Sequence, residues 1–513
     1  MLSRIHVSEQ PKQFKQRKEN KMAALRQIAF YGKGGIGKSK RKPEPITAGI
    51  EDRSLGSPSK NEMHFHSRVK VMASTRGGDG FRVPPAASRK AMPRKSEGQP
   101  PMPTKALILL EGTKMGTGQL YVQAAKLLGL HPIVLSADPA RYNYLATENV
   151  EAIRVDTDDL DALIRECSRL RETYDIVGIT GLPVPGEAVY ATVAKLCRHF
   201  GLPGPNPTSI DQCCDKFTQR QLLAEAGVPV PVYRMATNAA EIERAAAEIG
   251  LPVILKPAAG NGSTGVRLCR DAEELAEHTV YLLGGTYEWQ TSPRILVEEF
   301  AEGPYFIADI MGNTIIEIGA GDFGPPPNFV YREYTYPASL PDDQRTRIVD
   351  VSLSCLGALD LNWGPTNIEF RWTERGPVVI EVNPRLAGSP DPQLIQLACG
   401  VDLVMEHIKL VIGDECDLRK RHSQTASARF LVPDRAGTLD RIDGADQAAG
   451  VPGVAEVTWY IKPPTPIIMK GDCRDCIGHV IAASPNSTQT SAILQRAVDS
   501  ITWSITPFPT IDE

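Results

Sequence analysis

Apolar positions first fall into a regular pattern just after Lys105. Residues 106–110 form an unbroken aliphatic run, a turn follows with Gly112, Gly116 and Gly118, and the spacing then predicts a helix over 119–128 closed by Gly129. A second strand over 131–136 completes a βαβ unit. The alternation continues with a strand at 150–155, a helix at 159–171, a strand at 175–180 and a helix at 187–200, which the Gly201-Leu-Pro-Gly turn ends. Asp138 after the second strand invites a dinucleotide reading, but the glycines are spaced GxxxGxG instead of GxGxxG, so the motif for NAD is missing.

Beyond 205 the periods change. Asp215 and Lys216 open a helix that runs through Arg220 and Leu223 to Gly227, and the Val228-Pro-Val-Pro-Val run starts a strand. A helix over 239–249, a strand over 252–256, a glycine-rich loop over 257–266 and the apolar run Arg294-Ile-Leu-Val-Glu-Glu-Phe follow. Two alternating runs within 367–385, separated by a turn-like Thr373 to Gly376, predict an antiparallel hairpin, and a helix ending at 412 closes this part. The tail shows short strands at 426–432, 454–461 and 479–483 and a helix at 490–501. The pattern divides the chain into an extension over 1–103, an α/β domain over 104–205, a central domain over 206–412 with a lid near 225–296, and an α+β domain over 413–513.

Composition narrows the setting. At 513 residues, 42% hydrophobic and 23% charged, the chain exceeds one ordinary core and is multi-domain. A net charge of -4 provides no basic field, so nucleic acid is not implied as a partner. No apolar run approaches the roughly 20 residues of a membrane span. Ten scattered cysteines without a secretory signal fit a reducing compartment, read as the cytoplasm. Cys473 and Cys476 form the one CxxC, and no second ligand pair stands near it, so they are read as packing or surface thiols. His407 and His479 are read as structural or solvated.

The extension is rich in Lys, Arg, Ser, Pro and Gly and predicts disorder or poor packing. It carries one island, Gly32-Lys-Gly-Gly-Ile-Gly-Lys-Ser39, a complete Walker A string after a strand-like run. A working P-loop opens a helix, whereas here Lys40, Arg41 and Lys42 lead into Pro43 and Pro45. Residues 22–39 resemble the opening of the nitrogenase iron protein, and the likeness ends there.

The hairpin carries the chemistry. Alternation puts Asn367 and Glu369 on one face, with Glu381 and Asn383 beside them and Val378, Ile380 and Val382 turned away. Three or four hard oxygen ligands then converge, a set suited to Mg2+ or Mn2+, with Arg385 one step on carrying a fork for phosphate or carboxylate. The loop with Gly260, Gly262, Ser263, Thr264 and Gly265 can bring backbone N–H groups close to polyphosphate, and Lys256 adds charge at the strand end before it.

Taken in order over about 210–390, these motifs resemble the ATP-grasp superfamily, and Arg429-Phe430 with the Val451-Pro-Gly-Val run extends the likeness toward its carboxylate-amine ligases. The resemblance implies an ATP-grasp fold behind a Rossmann-like N-terminal domain, with an α+β cap. It implies that Lys216 and Lys256 hold the α and β phosphates and that Gly260 to Gly265 close over the γ phosphate. Glu369, Glu381 and Asn383 would hold the metal, and Arg385 would stabilise the transferred group. Val297, Glu298, Glu299 and Phe300 form the hinge that meets adenine, with Glu298 as the side-chain contact. Many members have a ribose-binding Glu where this chain reads Pro304-Tyr305-Phe306, so Tyr305 either substitutes through its hydroxyl or leaves ribose untouched. Arg332 and Glu333 stand where such ligases often recognise a carboxylate, the alternative being exposed charge.

The function implied is an ADP-forming ligase. ATP and Mg2+ activate a carboxylate as an acyl phosphate, which an amine captures as an amide, the substrates being small and amino-acid-like. A homodimer is compatible with this reading. The rivals are a biotin-carboxylase-like enzyme, for which no Ala-Met-Lys-Met string is present, and a nucleotide-binding module without catalysis.

Overall fold

The computed structural model describes residues 103–112, 117–182, 188–284 and 293–509. The Walker-type string at 32–39 and the extension predicted over 1–103, apart from Pro103, lie outside these residues, as do Gly116 and Glu187. All the described residues belong to one compact unit.

The N-terminal alternation folds into a four-stranded parallel sheet in the order Glu151–Arg154, His131–Ser136, Lys105–Leu110, Asp175–Gly181. Its two inner strands are buried almost throughout, as a parallel sheet covered on both faces requires. Ala106, Ile108 and Leu110 pack against the helices Leu160–Leu170 and Ala188–Phe200. Leu107 and Leu109 turn the other way, toward Thr117–Leu127 and the later helix Leu403–Val411.

A second sheet is antiparallel, in the order Tyr233–Ala236, Ile295–Glu299, Val253–Pro257, Arg267–Cys269, and shares a small core with helices Ala239–Ile249 and Ala272–Leu283. The strand predicted to start at Val228 begins instead at Tyr233. Pro229 and Pro231 have no N–H to give a ladder. The segment offers carbonyls instead: Pro229 accepts from Val379 N at 2.9 Å and Val232 from Glu299 N at 2.8 Å.

The third sheet has eight antiparallel strands, in the order Gly376–Asn383, Pro365–Thr373, Tyr305–Met311, Thr314–Asp322, Glu333–Tyr336, Thr425–Leu431, Gly478–Ser484, Val454–Trp459. The predicted division at 412/413 does not interrupt it, because Glu333–Tyr336 pairs directly with Thr425–Leu431. What stands apart in the tail is a three-stranded sheet, Thr465–Ile467, Gly437–Asp443 and Thr502–Thr506, with the helix Ser487–Asp499 sharing its core. No helix among the described residues is long and apolar enough to cross a membrane. All ten cysteines are described and are free thiols.

His407 fastens the N-terminal layer to the rest, its Nδ1 2.6 Å from Tyr121 Oη, and it is buried. Burial lowers its pKa to about 4 from the ordinary 6.5, so the unfolded chain takes up this proton more readily than the folded one. The stabilisation from neutral His407 is therefore complete above pH 6.5 and lost as pH falls through 4, a difference of roughly 3 kcal/mol. His278, lowered to about 4 chiefly by burial, acts in the same direction. Urea midpoints measured from pH 7 to pH 4 should fall, and more shallowly in His407→Gln. Equal slopes in both proteins would refute the account.

Candidate active site

The helix Lys216–Glu225 is capped by Asp215, which accepts from Thr218 N at 2.8 Å. Lys216, Gln219, Arg220 and Leu223 follow i, i+3, i+4, i+7 spacing and form its buried face, so three polar side chains enter the interior from one helix. Gln219 clamps the metal-site strand through both amide atoms, Nε2 to Val382 O at 2.7 Å and Oε1 from Val382 N at 2.8 Å. Arg220, fully buried, donates Nε to Glu298 Oε1 at 2.7 Å and Nη2 to the Ile380 carbonyl. The other Glu298 oxygen takes Lys256 Nζ at 2.6 Å. Lys216 Nζ lies 2.7 Å from Glu381 Oε1 and donates to Gly260 O at 2.6 Å.

The hairpin pairs as the sequence predicts, with Asn367 opposite Asn383 and Glu369 opposite Glu381, across a shift in register after Glu369. That bulge corrects the expected alternation. Val379 and Val382 enter the core, while Ile380 and Glu381 both line the cavity. Asn383 Nδ2 reaches Glu369 Oε1 at 3.3 Å, and its Oδ1 accepts from Arg385 Nη2 at 3.3 Å. Asn367 turns its amide to Asp309 at 3.0 Å, and Asp309 also accepts from Tyr336 Oη at 2.7 Å.

The lysines, Glu298 and the facing Glu369 and Glu381 border a cavity of about 880 Å³, part of it open to solvent. Gly260, Gly262, Ser263 and Thr264 line it together with Lys216, Lys256, Glu298, Glu299, Phe300, Tyr305, Glu369 and Glu381. The loop needs its glycines. Gly262 has φ +63°, and a Cβ there would run into Cys473 Sγ. Cys473 N donates to Gly262 O at 3.2 Å, so the tail touches the phosphate loop.

Several expected contacts are placed differently. Val297 faces the core of the second sheet and its backbone is paired on both sides, because it lies in a central strand. The Glu298 carboxylate is engaged by Arg220 and Lys256, which makes it a brace for Lys256 in place of the expected adenine contact. Tyr305 hydrogen-bonds to Glu369. Gly265 sits at the loop's end, its carbonyl 2.9 Å from His278 Nε2. Glu333 starts a strand and pairs with Arg429 at 2.8 Å, and neither it nor Arg332 lines the cavity. Arg385 instead borders a second cavity with Tyr121, Trp363 and His407. Sequence reasoning missed Arg220 and Gln219, although helical spacing put them beside Lys216. It also missed the aromatic wall of Phe323, Phe329 and Tyr331.

Electrostatics separate the carboxylates. Burial pushes Glu298 up, but Arg220 and Lys256 outweigh it and hold the carboxyl below its ordinary range. Burial likewise opposes ionisation of Glu381, and Lys216 overcomes it. Glu369 is raised to about 7 by burial and by the charge of Glu381. Two facing carboxylates beside an amide oxygen form a donor set that fits a divalent cation. The lysines and the glycine loop fit a polyphosphate.

An anion cradle over a carboxylate hairpin, between a small antiparallel lid and a larger sheet, is the architecture of an ATP-dependent ligase. The model for "Carbamoyl-phosphate synthase L chain, ATP binding domain" matches residues 215–419, and that for "L-amino acid ligase C-terminal domain 2" matches 429–506. Protein y4rH of Sinorhizobium fredii is 60% identical over 422 residues, 82% of this chain and 87% of that one. Human carnosine synthase 1 is 27% identical over 340 residues, 60% of this chain and 40% of its own length. The crystal structure of L-amino acid ligase from Bacillus licheniformis superposes with a TM-score of 0.67 at 20% identity, over 79% of this chain and 99% of that one. The chain belongs to the ATP-grasp family of carboxylate-amine ligases, whose cofactors are ATP and Mg2+.

Removing Arg220 leaves Glu298 buried with one cation in place of two. Arg220→Met should cost about 3 kcal/mol in urea unfolding and weaken Mg·ATP binding, because Lys256 is then drawn fully onto Glu298. Unchanged stability together with unchanged nucleotide affinity would show that the brace is not needed.

Proposed function

We propose that this ligase joins an amino-acid-like carboxylate to an amine within the cavity between the lid near 225–296 and the eight-stranded sheet. The observation that carries the proposal is the meeting of Lys216, Lys256, Gly260, Glu369 and Glu381 at one cavity, with Asn383 hydrogen-bonded to Glu369 behind them. Lys216 and Lys256 hold the phosphates, and the backbone of 260–264 closes over the terminal one. Glu369, Glu381 and Asn383 would hold Mg2+, which would supply charge neutralisation at the phosphates.

A carboxylate oxygen of the acid attacks the γ phosphorus, and the bond to ADP breaks, giving an acyl phosphate. The amine nitrogen then attacks the acyl carbon, phosphate leaves, and the nitrogen loses its proton. The hydrogen bond from Arg385 to Asn383 Oδ1 supports a role for Arg385 in stabilising charge on the group being transferred. No protein nucleophile is required. The lid must exclude water, because hydrolysis of the acyl phosphate wastes ATP. The match of 429–506 to an L-amino acid ligase domain favours amide formation over the biotin-carboxylase reading.

The test is a matrix of acids and amines scored by ADP release and by mass spectrometry for a new amide. One acid and amine pair should give ADP and amide in equal amounts. Glu381→Gln should abolish that turnover while circular dichroism stays unchanged, and an active variant would overturn the metal assignment.

A further inference from the structure

Arg371 is used by none of the steps above. It follows Glu369 by two residues in the strand Pro365–Thr373, and its side chain lines the nucleotide cavity. Nη1 donates to Gly303 O at 2.9 Å. The guanidinium carbon lies 5.4, 5.8 and 6.0 Å from the ring centroids of Tyr305, Phe323 and Phe329. Among the described residues no carboxylate forms a direct ion pair with it, and Glu369 and Asp322 act on it only at longer range. A guanidinium has five N–H donors in a fixed fork, and a single donor is accounted for here. Donors left over on a guanidinium that lines a cavity are available to a ligand.

Its position selects the ligand. At one end of the cavity the lid strand leaves its ladder after Glu299, and Phe300 and Ala301 form the wall where a base can enter. Arg371 is tied to this end through Gly303, and its neighbour Trp372 donates N–H to Pro304 O at 2.8 Å. At the other end stand Glu369, Glu381 and the lysines. In a nucleotide laid between them, the sugar falls at Arg371. Tyr305, the alternative for ribose, is bonded to Glu369, and Phe323 and Phe329 have no polar atom to offer.

We propose that Arg371 reads the ribose of ATP, donating from its guanidinium to the 2′ and 3′ hydroxyl oxygens. Phe323, Phe329 and Tyr305 hold the guanidinium plane so that little side-chain freedom is lost on binding. The proposal rests on the ATP-site reading above. It makes nucleotide selection depend on a donor-only cation, which accepts hydroxyl oxygens as partners and loses a contact for each hydroxyl removed.

The experiment uses the full chain with Mg2+ and compares ATP, 2′-deoxy-ATP and 3′-deoxy-ATP, by direct binding and by ADP release. The native protein should prefer ATP to the deoxy nucleotides about tenfold, in line with hydrogen bonds to a charged donor. In Arg371→Met the affinity for ATP should fall about tenfold while that for the deoxy forms changes little, so the preference approaches unity. The change should appear in the ATP KM more than in kcat. Arg371→Lys, which keeps the charge and the stem, should restore part of the preference, and it supplies the same ratio if the Met variant does not fold. A preference equal in native and variant proteins would overturn the proposal, as would a variant whose KM rises for the acid or amine and not for ATP. Native protein that binds none of the three nucleotides would instead refute the ATP-site reading itself.

Discussion

Glu298, buried between Arg220 and Lys256, is the charge on which the site's geometry depends. A carboxylate removed from water must be compensated, and here the compensation comes from two elements distant in sequence. Glu298 belongs to the lid strand Ile295–Glu299, Lys256 to its neighbour in the same sheet, and Arg220 to the helix Lys216–Glu225, which also carries Lys216 to Glu381 on the hairpin. Lid, helix and hairpin are therefore held in one arrangement by two acids and three bases. Glu298 and Glu381 each hold one lysine at the cavity, and burial lowers the Lys256 pKa, so the charge of Lys256 depends on Glu298 beside it.

The hairpin and the tail lie toward opposite ends of the eight-stranded sheet, and the tail still reaches the lid. Its segment at 472–475 is locked internally: Asp475 accepts from Lys470 N and Gly471 N, both at 2.7 Å, and Asp472 pairs with Arg474. This knuckle touches Gly262 through Cys473, while Leu268 N of the lid donates to Pro327 O at 2.9 Å. A glycine loop is conformationally permissive, so its closed form needs partners outside itself. Those partners come from a loop of the central sheet and from the C-terminal segment, which gives residues beyond 412 a part in how tightly the phosphate end is covered.

Much of this could be read from the sequence, and what could not has specific causes. The helix at Ala239–Ile249 was predicted at its observed bounds because Asn238 caps it and its apolar residues recur at helical spacing. The opposition of Glu369 to Glu381 followed from a turn placed between two alternating runs. Tyr305–Met311 was missed because all seven of its residues are buried, which removes the alternation that marks a strand. The bulge after Glu369 was invisible because one additional residue leaves no trace in a pattern of hydrophobicity. Glu298 illustrates the limit for sites: the sequence places it at the hinge, but only the fold brings Arg220, 78 residues earlier, against it. The pairing of Glu333–Tyr336 with Thr425–Leu431 is likewise long-range and leaves no mark in the sequence.

The aromatic wall gives the closed site a further property. Phe323 packs on Tyr305 at 4.6 Å and on Tyr331 at 5.2 Å, and Tyr331 packs on Phe430 at 5.6 Å, with Phe323, Tyr305 and Phe430 nearly excluded from solvent. The rings meet edge-to-face or tilted, so the wall is apolar apart from the tyrosine hydroxyls and the Arg371 guanidinium set against it. Burial also raises the Tyr305 and Tyr331 hydroxyls well above their ordinary pKa, so both remain neutral and neither serves as a base toward water.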